Sequence, residues 1–191
     1  ATDRSFNSIT VDGCMSTNDM VSVHANGLAG NKAITEEGPD FKKFYEVLEF
    51  VCIDLARKIV RDGEGATKFL TIRVLGAADP AQAKKIAKAV ANSALVKTAA
   101  FGSNPNWGRV GAAVGSLGIK GINEDTMKIS FSPFNKKDIA ITVELSLGKA
   151  SRPCAFSAHS AATASWPLLR LTSSSFSLSG LAAPLSRLAR S

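Results

Sequence analysis

A long helix followed closely by a strand is the feature that most constrains the fold of this chain. Apolar residues recur at intervals of three and four at Phe41, Phe44, Leu48, Val51, Leu55 and Ile59. This spacing predicts an amphipathic helix that begins at Pro39-Asp40, ends near Val60 and turns this stripe toward the core. Residues 69–75 then alternate in character as a strand does. The residues predicted to face the core there are Leu70, Ile72 and Val74.

Helices and strands alternate along the rest of the first 150 residues. Asp79-Pro80 has the order of a cap followed by proline, which is typical of a helix start, and the helix should continue to Ala91. Apolar spacing and turn residues further predict a strand over 8–11, helices over 20–28 and 107–114, and two antiparallel strands over 127–131 and 139–147. This interleaving predicts an α/β or α+β layered domain.

Charge and cysteine content limit the classes of function. The net charge is +7, but residues 150–191 contain four arginines and no acid, so the first 149 residues are only mildly basic. A weak, mixed-sign charge does not predict a nucleic-acid surface. No apolar run reaches the roughly 18 to 20 residues that cross a bilayer. Three scattered cysteines and two histidines form no metal-binding motif and fit a reducing compartment. We predict no nucleic-acid, membrane or metal partner.

A carboxylate enclosed by two glycines follows the long helix. Within residues 61–68, Glu64 lies between Gly63 and Gly65. Glycine permits a tight backbone that a ligand can approach closely, and the ends of elements are common places for binding sites. We predict that Glu64 can bind a ligand that carries an ammonium group. The structural alternative is a solvated acidic loop without a ligand.

A second polar loop lies at residues 102–109. Asn104 and Asn106 offer neutral hydrogen-bonding groups, and Arg109 can form a fork with a carboxylate. The structural alternative is that Arg109 caps or bridges elements. A third polar cluster is interpreted as helix capping and contains Asp12, Ser16, Thr17, Asn18 and Asp19. Taken alone, the residues predict a soluble α/β domain with a small-molecule cleft near Glu64, and they fix no chemistry.

The character of the chain changes after Lys149. Residues 151–191 are rich in serine, lack acids and show neither a helix nor a strand period. Three interpretations are a disordered tail, a docking motif around Trp166, and frame-shifted sequence, of which we favour the last. The predicted organisation is therefore one domain over residues 1–150 and a separate tail over 151–191.

Four runs of residues together resemble one known family. Residues 4–13 with 16–19 are similar to the "SFN-x-I-x-V-D-G-D-x-S-T-N-D" signature of the ornithine acetyltransferases, also called glutamate N-acetyltransferases. Residues 61–68 resemble the family's "D-x-E-G-x-T-K" loop. Residues 95–98 and 101–109 resemble its "LVKTA-x-x-G-x-D-P-N-W-G-R" run. The runs follow the family's order over about residues 3–150, which makes the resemblance specific.

The resemblance implies a layered α+β sandwich of the self-cleaving type, with residues 1–150 as a segment of the β chain. Members of this family are amino-acid N-acetyltransferases of arginine biosynthesis that cleave themselves before a threonine. That threonine becomes an N-terminal nucleophile, takes acetyl from N-acetylornithine as an acetyl-enzyme and passes it to glutamate. No metal or organic cofactor is implied. Whether acetyl-CoA is a further acetyl donor stays open.

The resemblance also assigns residues and partners. It implies that Glu64 binds substrate, and that Lys68, Asn104, Asn106 and Arg109 support the site. The implied protein partner is an α chain cut from the same precursor, which forms an α/β hetero-oligomer with the β chain. Cytoplasm is the expected compartment, with a plastid or mitochondrion as the alternative.

This chain departs from the family pattern at its start. Thr2 lies almost next to the S-F-N run, so the nucleophilic threonine is expected outside the chain, and Cys14 replaces the family's aspartate. Two hypotheses follow. The first is an acetyltransferase β-chain segment, and the second is a non-catalytic remnant that only binds substrate or an α chain. An aminopeptidase of the related self-cleaving type is a more distant alternative.

Overall fold

A mixed five-stranded sheet organises the described part of the chain. The computed structural model describes residues 1–147 completely and residues 154–163 as backbone. The sheet order is β1-β5-β2-β4-β3, where β1 is Ile9–Thr10, β2 is Ala66–Ala77, β3 is Met127–Phe131, β4 is Asp138–Leu145 and β5 is Cys154–Thr163. Strand β2 is parallel to β4 and antiparallel to β5. Strands β3 and β4 pair antiparallel, as predicted, and the α/β class is confirmed.

Four α-helices accompany the strands in this part of the chain. They are α1 (Pro39–Arg61), α2 (Pro80–Asn92), α3 (Ala94–Phe101) and α4 (Trp107–Gly115). The predicted cap of α2 is confirmed, because the Asp79 Oδ1 accepts a hydrogen bond from the Gln82 amide at 2.7 Å. Helix α3 was not predicted, since its eight residues are too few to show a period. Two 3₁₀ turns, Thr2–Arg4 and Phe6–Ser8, precede β1.

The main core lies between the sheet and the helices α2, α3 and α4. Leu70, Ile72 and Val74 are fully buried, which confirms the predicted inner side of β2. Because parallel neighbours present matching faces, alternate residues of β4 enter the same core. Residues that complete this cluster include Ile86, Val90, Val96, Val110, Val114, Ile139, Ile141 and Val143.

Helix α1 is correctly predicted in extent, but its apolar stripe is half-buried only at Leu48, Val51 and Leu55, and the prediction is wrong for the two ends of the stripe. Its buried residues are Ala56 and Val60, whereas Phe41, Phe44 and Ile59 are 38%, 58% and 48% exposed. The cause is the second small core, in which Val60 packs with Phe69 beside Ile9 and Ala66. Periodicity identifies an apolar side of a helix but does not tell which neighbour covers it.

Residues 15–28 belong to a second structural unit, and the helix predicted over 20–28 is wrong. This segment contains bends, a turn and irregular chain without a helix or strand. Its larger apolar residues are exposed: Met15, Met20, Val21, Val23 and Leu28. A short helix needs a buried apolar face to offset its nucleation cost, and this segment buries none. The Ser16 hydroxyl instead accepts a hydrogen bond from the Asp19 amide at 3.1 Å, so the polar cluster caps a turn.

Strand β5 lies within the segment in which no period was found. Its backbone pairs with β1 on one side and with β2 on the other. The rest of the predicted tail over 151–191, including Trp166, lies outside the described residues. Among the helices of the described residues, none has the length and apolar content required to cross a bilayer.

Candidate functional site

The loop between α1 and β2 presents Glu64 at the tip of a tight turn. The amide of Ala66 donates to the carbonyl of Gly63 at 2.9 Å, which closes the turn. Gly65 has a φ of +69°, in the left-handed region that favours glycine. The Glu64 side chain is exposed, and within residues 1–147 its carboxylate has no recorded hydrogen bond or ion pair. The turn therefore holds a carboxylate that is open to a ligand.

Val11, in the run of residues 4–13, lies directly against this turn. A Cβ atom placed on Gly63 would lie 3.2 Å from Val11 Cγ1 and 3.3 Å from the carbonyl oxygen of Val60. These distances are tighter than ordinary contacts, so glycine at 63 allows the turn to pack between Val11 and the end of α1. Asp12 follows Val11 and accepts a hydrogen bond from the Cys14 amide at 2.8 Å. The two motifs, distant in sequence, therefore form one corner of the domain.

A lysine that was not singled out as a site residue from the sequence joins the run of residues 95–98 to this corner. Lys97 is on α3, and its Nζ donates to the carbonyl oxygen of Val11. Burial lowers the pKa of Lys97, and the nearby negative charge of Asp12 opposes this shift. The sequence contained one signal for this contact: Lys97 directly follows the apolar pair Leu95-Val96. A lysine next to a buried residue can itself be partly buried, and a buried cation needs a specific partner.

Lys68 is a connector between three segments. Its Nζ donates to Ser103 Oγ at 3.2 Å, to the carbonyl of Phe134 at 2.9 Å and to the carbonyl of Lys136 at 3.0 Å. An ammonium group has three hydrogen atoms to donate, so these three contacts use its full capacity. Lys68 thus fixes the loop at residues 102–109 beside β2, and its support of a substrate site stays a prediction.

Replacing Lys68 with methionine should lower the free energy of unfolding by about 1–3 kcal/mol, because two loop carbonyls lose a charged donor. Lys128→Met is the matched control, since Lys128 is an exposed lysine on β3 with no recorded partner in residues 1–147. Urea denaturation of both variants measures the difference. Equal free energies of unfolding for the two variants would contradict this structural role.

The polar side chains of residues 102–109 serve mainly to build the loop. Asn106 Oδ1 accepts from the Arg109 amide at 3.1 Å and caps α4. Arg109 Nη1 donates to the Leu95 carbonyl and to Thr98 Oγ1, both at 2.9 Å, so it bridges α3 and α4 as the structural alternative proposed. Asn104 has an exposed side chain. Asn104 therefore stays a predicted site residue.

Two open cavities of about 390 and 400 Å³ lie beside β2, and Glu64 lines neither. Arg61 lines both and is held by Asp138 through contacts of 2.7 and 3.2 Å. Its guanidinium also stacks over the Phe69 ring at 4.1 Å. The hydrogen bond from Arg61 lowers the pKa of Asp138. This pair joins the end of α1 to the start of β4, and the predicted site residue Glu64 lies outside the cavities.

The spacing of possible metal ligands was measured in the part of the chain that the structure describes. No three residues among its histidines, cysteines, aspartates and glutamates come close enough together to hold an ion.

Comparison with known proteins places the chain in one family. The model of the ArgJ family matches residues 1–152. The arginine biosynthesis bifunctional protein ArgJ of Geobacillus stearothermophilus is 52% identical over 132 residues, which cover 69% of this chain and 32% of that protein. The ArgJ protein of Geobacter sulfurreducens is 44% identical and covers 78% of this chain and 43% of its own length. A relative from Podospora anserina is described as mitochondrial. This chain spans about a third of the length of the first of these relatives.

A solved structure shares the fold. The crystal structure of arginine biosynthesis bifunctional protein argJ from Bacillus halodurans matches with a TM-score of 0.76 and 39% identity. The match covers 84% of this chain and 83% of that chain. The family model and the solved structure agree, and the chain belongs to the ArgJ family.

Proposed function

We propose that this chain is part of an enzyme that transfers an acetyl group from N-acetylornithine to glutamate in arginine biosynthesis. The exposed carboxylate of Glu64 is the observation that carries the proposal. It is exposed at the tip of a tight turn and has no recorded partner in residues 1–147. N-acetylornithine keeps one ammonium group, on its side chain, and a carboxylate without a protein partner can pair with it. Membership of the ArgJ family supports the same substrate.

The proposed chemistry is a two-step transfer through a threonine ester. In the first step a threonine oxygen attacks the acetyl carbonyl carbon, the amide C–N bond breaks, and ornithine leaves with a proton on its nitrogen. In the second step the glutamate amine attacks the ester carbonyl, and the threonine hydroxyl is restored. No metal or organic cofactor takes part. In this chain we assign to Glu64 the binding and orientation of N-acetylornithine. Whether acetyl-CoA is a further acetyl donor is a separate question for the transfer assay.

We propose an α chain as the protein partner. The relative from Halalkalibacterium halodurans has about 410 residues, since 132 aligned residues are 32% of it. The crystallised Bacillus halodurans chain is about as long as this chain, because 84% of one corresponds to 83% of the other. This difference supports a protein of two chains. The exposed apolar residues Phe44 and Ile59 on α1 supply a surface for such a partner.

Transfer of a labelled acetyl group tests the proposal. The protein is purified from cells that express its complete gene and is mixed with glutamate and N-acetylornithine that carries deuterium in the acetyl group. Mass spectrometry should find deuterated N-acetylglutamate at a rate proportional to enzyme concentration. Binding of N-acetylornithine without transfer would instead support the remnant hypothesis. Neither binding nor transfer would overturn the proposed function.

A further inference from the structure

Lys97 is connected to the surroundings of Glu64 through one intermediate residue, Val11. Lys97 lies on α3, 86 residues beyond Val11, and its Nζ donates to the Val11 carbonyl. The Val11 side chain in turn limits Gly63, where a Cβ would meet Val11 Cγ1 at 3.2 Å. Gly63 is covalently joined to Glu64. A cation on α3 is thus connected to the proposed substrate carboxylate by one hydrogen bond, one packing contact and one peptide bond.

The other contacts of this segment hold its neighbours. Thr10 Oγ1 donates to Asn92 Oδ1 at 2.6 Å, which fixes the segment to α2. The amide of Gly13 donates to Thr10 Oγ1 at 3.1 Å, and Asp12 binds the Cys14 amide. These bonds order the turn at either side of Val11. The carbonyl of Val11 itself accepts its hydrogen bond from Lys97.

The turn at Glu64 needs such support because its own hydrogen bonds are few. It is closed by the Ala66 amide on the Gly63 carbonyl and by the Gly63 amide on the Val60 carbonyl at 3.3 Å. The first of these bonds closes the turn itself, and the second joins Gly63 to the end of α1. Val11 also packs on the turn, and without it the backbone at Gly63 gains room to move.

We infer that Lys97 is a positioning residue for substrate binding, which holds Val11 against Gly63 and thereby fixes the turn that carries Glu64. The inference rests on the proposed function for the role of Glu64. The link from Lys97 to the turn rests on geometry alone. These two parts can be tested separately.

Hydrogen exchange tests the link without reference to activity. In Lys97→Met, the amides of Gly63 and Ala66 should exchange about tenfold faster than in the parent protein, because the Val11 contact loosens. The amides of Leu70 and Ile72 should keep their protection. Lys85→Met is the matched control, since Lys85 is an exposed lysine on α2 with no recorded partner in residues 1–147. Unchanged exchange at Gly63 and Ala66 in Lys97→Met would overturn the inference.

Val11→Ala covers the case in which Lys97→Met fails to fold. This variant keeps the carbonyl that Lys97 binds and removes the methyl groups that face Gly63. It should accelerate exchange at Gly63 and Ala66 in the same way. Normal protection of both amides in Val11→Ala would contradict the link even if Lys97→Met cannot be studied.

A double-mutant cycle on the labelled-acetyl transfer tests the functional part. Lys97→Met should raise KM for N-acetylornithine about tenfold with a smaller change in kcat, because a small displacement of a binding group weakens orientation. In the Glu64→Gln background the same substitution should add little, since both act on one contact. Fully additive effects would show that Lys97 acts independently of Glu64. Absence of transfer in the parent protein would defeat the proposed function, while the exchange measurement would still decide the link.

Discussion

Alanine at position 76 should lower the free energy of unfolding by about 3 kcal/mol or more. Gly76 has a φ of +71°, and a left-handed conformation costs a residue with a side chain roughly 1–2 kcal/mol. In addition, a Cβ at this position would lie 1.9 Å from the carbonyl oxygen of Leu145. Backbone atoms cannot rotate away as a flexible side chain can, so β2 and β4 would have to separate at this end.

Two glycines elsewhere in the chain separate the contributions to this effect. Gly118 has a φ of +60°, but a Cβ added there would meet no atom within 4 Å, so Gly118→Ala measures the conformational penalty alone. Gly115 ends α4 and also has open space, so Gly115→Ala should be neutral or stabilising by up to about 1 kcal/mol. Urea denaturation gives the three values. A loss at Gly76 no larger than that at Gly118 would show that β2 and β4 can accommodate the contact.

The secondary structure that could be predicted is the part with a long, regular pattern. Helix α1 and the alternating strands β2 and β4 each show a clear period. The helix predicted over 20–28 is absent because its apolar residues are exposed in the structure and no buried face stabilises a helix there. A local sequence pattern does not show which residues become buried. Helix α3 is too short to show a period, and strand β5 lies in a serine- and alanine-rich segment without a strand period. Strand β5 lies between β1 and β2, so its place in the sheet depends on partners far away in sequence.

The candidate site shows the same division between local and long-range information. Gly63 and Gly65 around Glu64 are a local signal, and the structure has a tight turn there. The partners of Lys68 and Lys97 lie 35 to 86 residues away in sequence, so local sequence patterns could not predict these contacts. The residue type of Arg109 indicated a possible fork with a carboxylate, but in the structure its Nη1 donates to the Leu95 carbonyl and the Thr98 hydroxyl within α3, which is the bridging alternative. A residue type predicts what a group can do, while tertiary contacts decide whether it is available.

Substitution of Glu64 by glutamine should raise KM for N-acetylornithine at least about tenfold, because a charged hydrogen bond contributes roughly 1.5–3 kcal/mol and glutamine keeps only a neutral acceptor. The free energy of unfolding should stay within about 0.5 kcal/mol of the parent value, since the side chain is exposed and has no recorded partner in residues 1–147. Glu124→Gln, at an exposed glutamate in another loop, is the matched control. Both variants are measured by labelled-acetyl transfer and by urea denaturation.

A substrate analogue identifies which group Glu64 contacts. N-acetylnorvaline has the carbon chain of N-acetylornithine with a terminal methyl group in place of the aminomethyl group, so it lacks the ammonium. If Glu64 pairs with that ammonium, the parent protein and Glu64→Gln should bind this analogue with nearly equal affinity, while they differ about tenfold or more for N-acetylornithine. An equal loss of affinity for both ligands in Glu64→Gln would mean that Glu64 acts on the protein backbone of the site or on the carboxylate end of the ligand. An unchanged KM for N-acetylornithine would remove Glu64 from the binding site, because an exposed carboxylate that pairs with a cation cannot lose its charge without a loss of affinity.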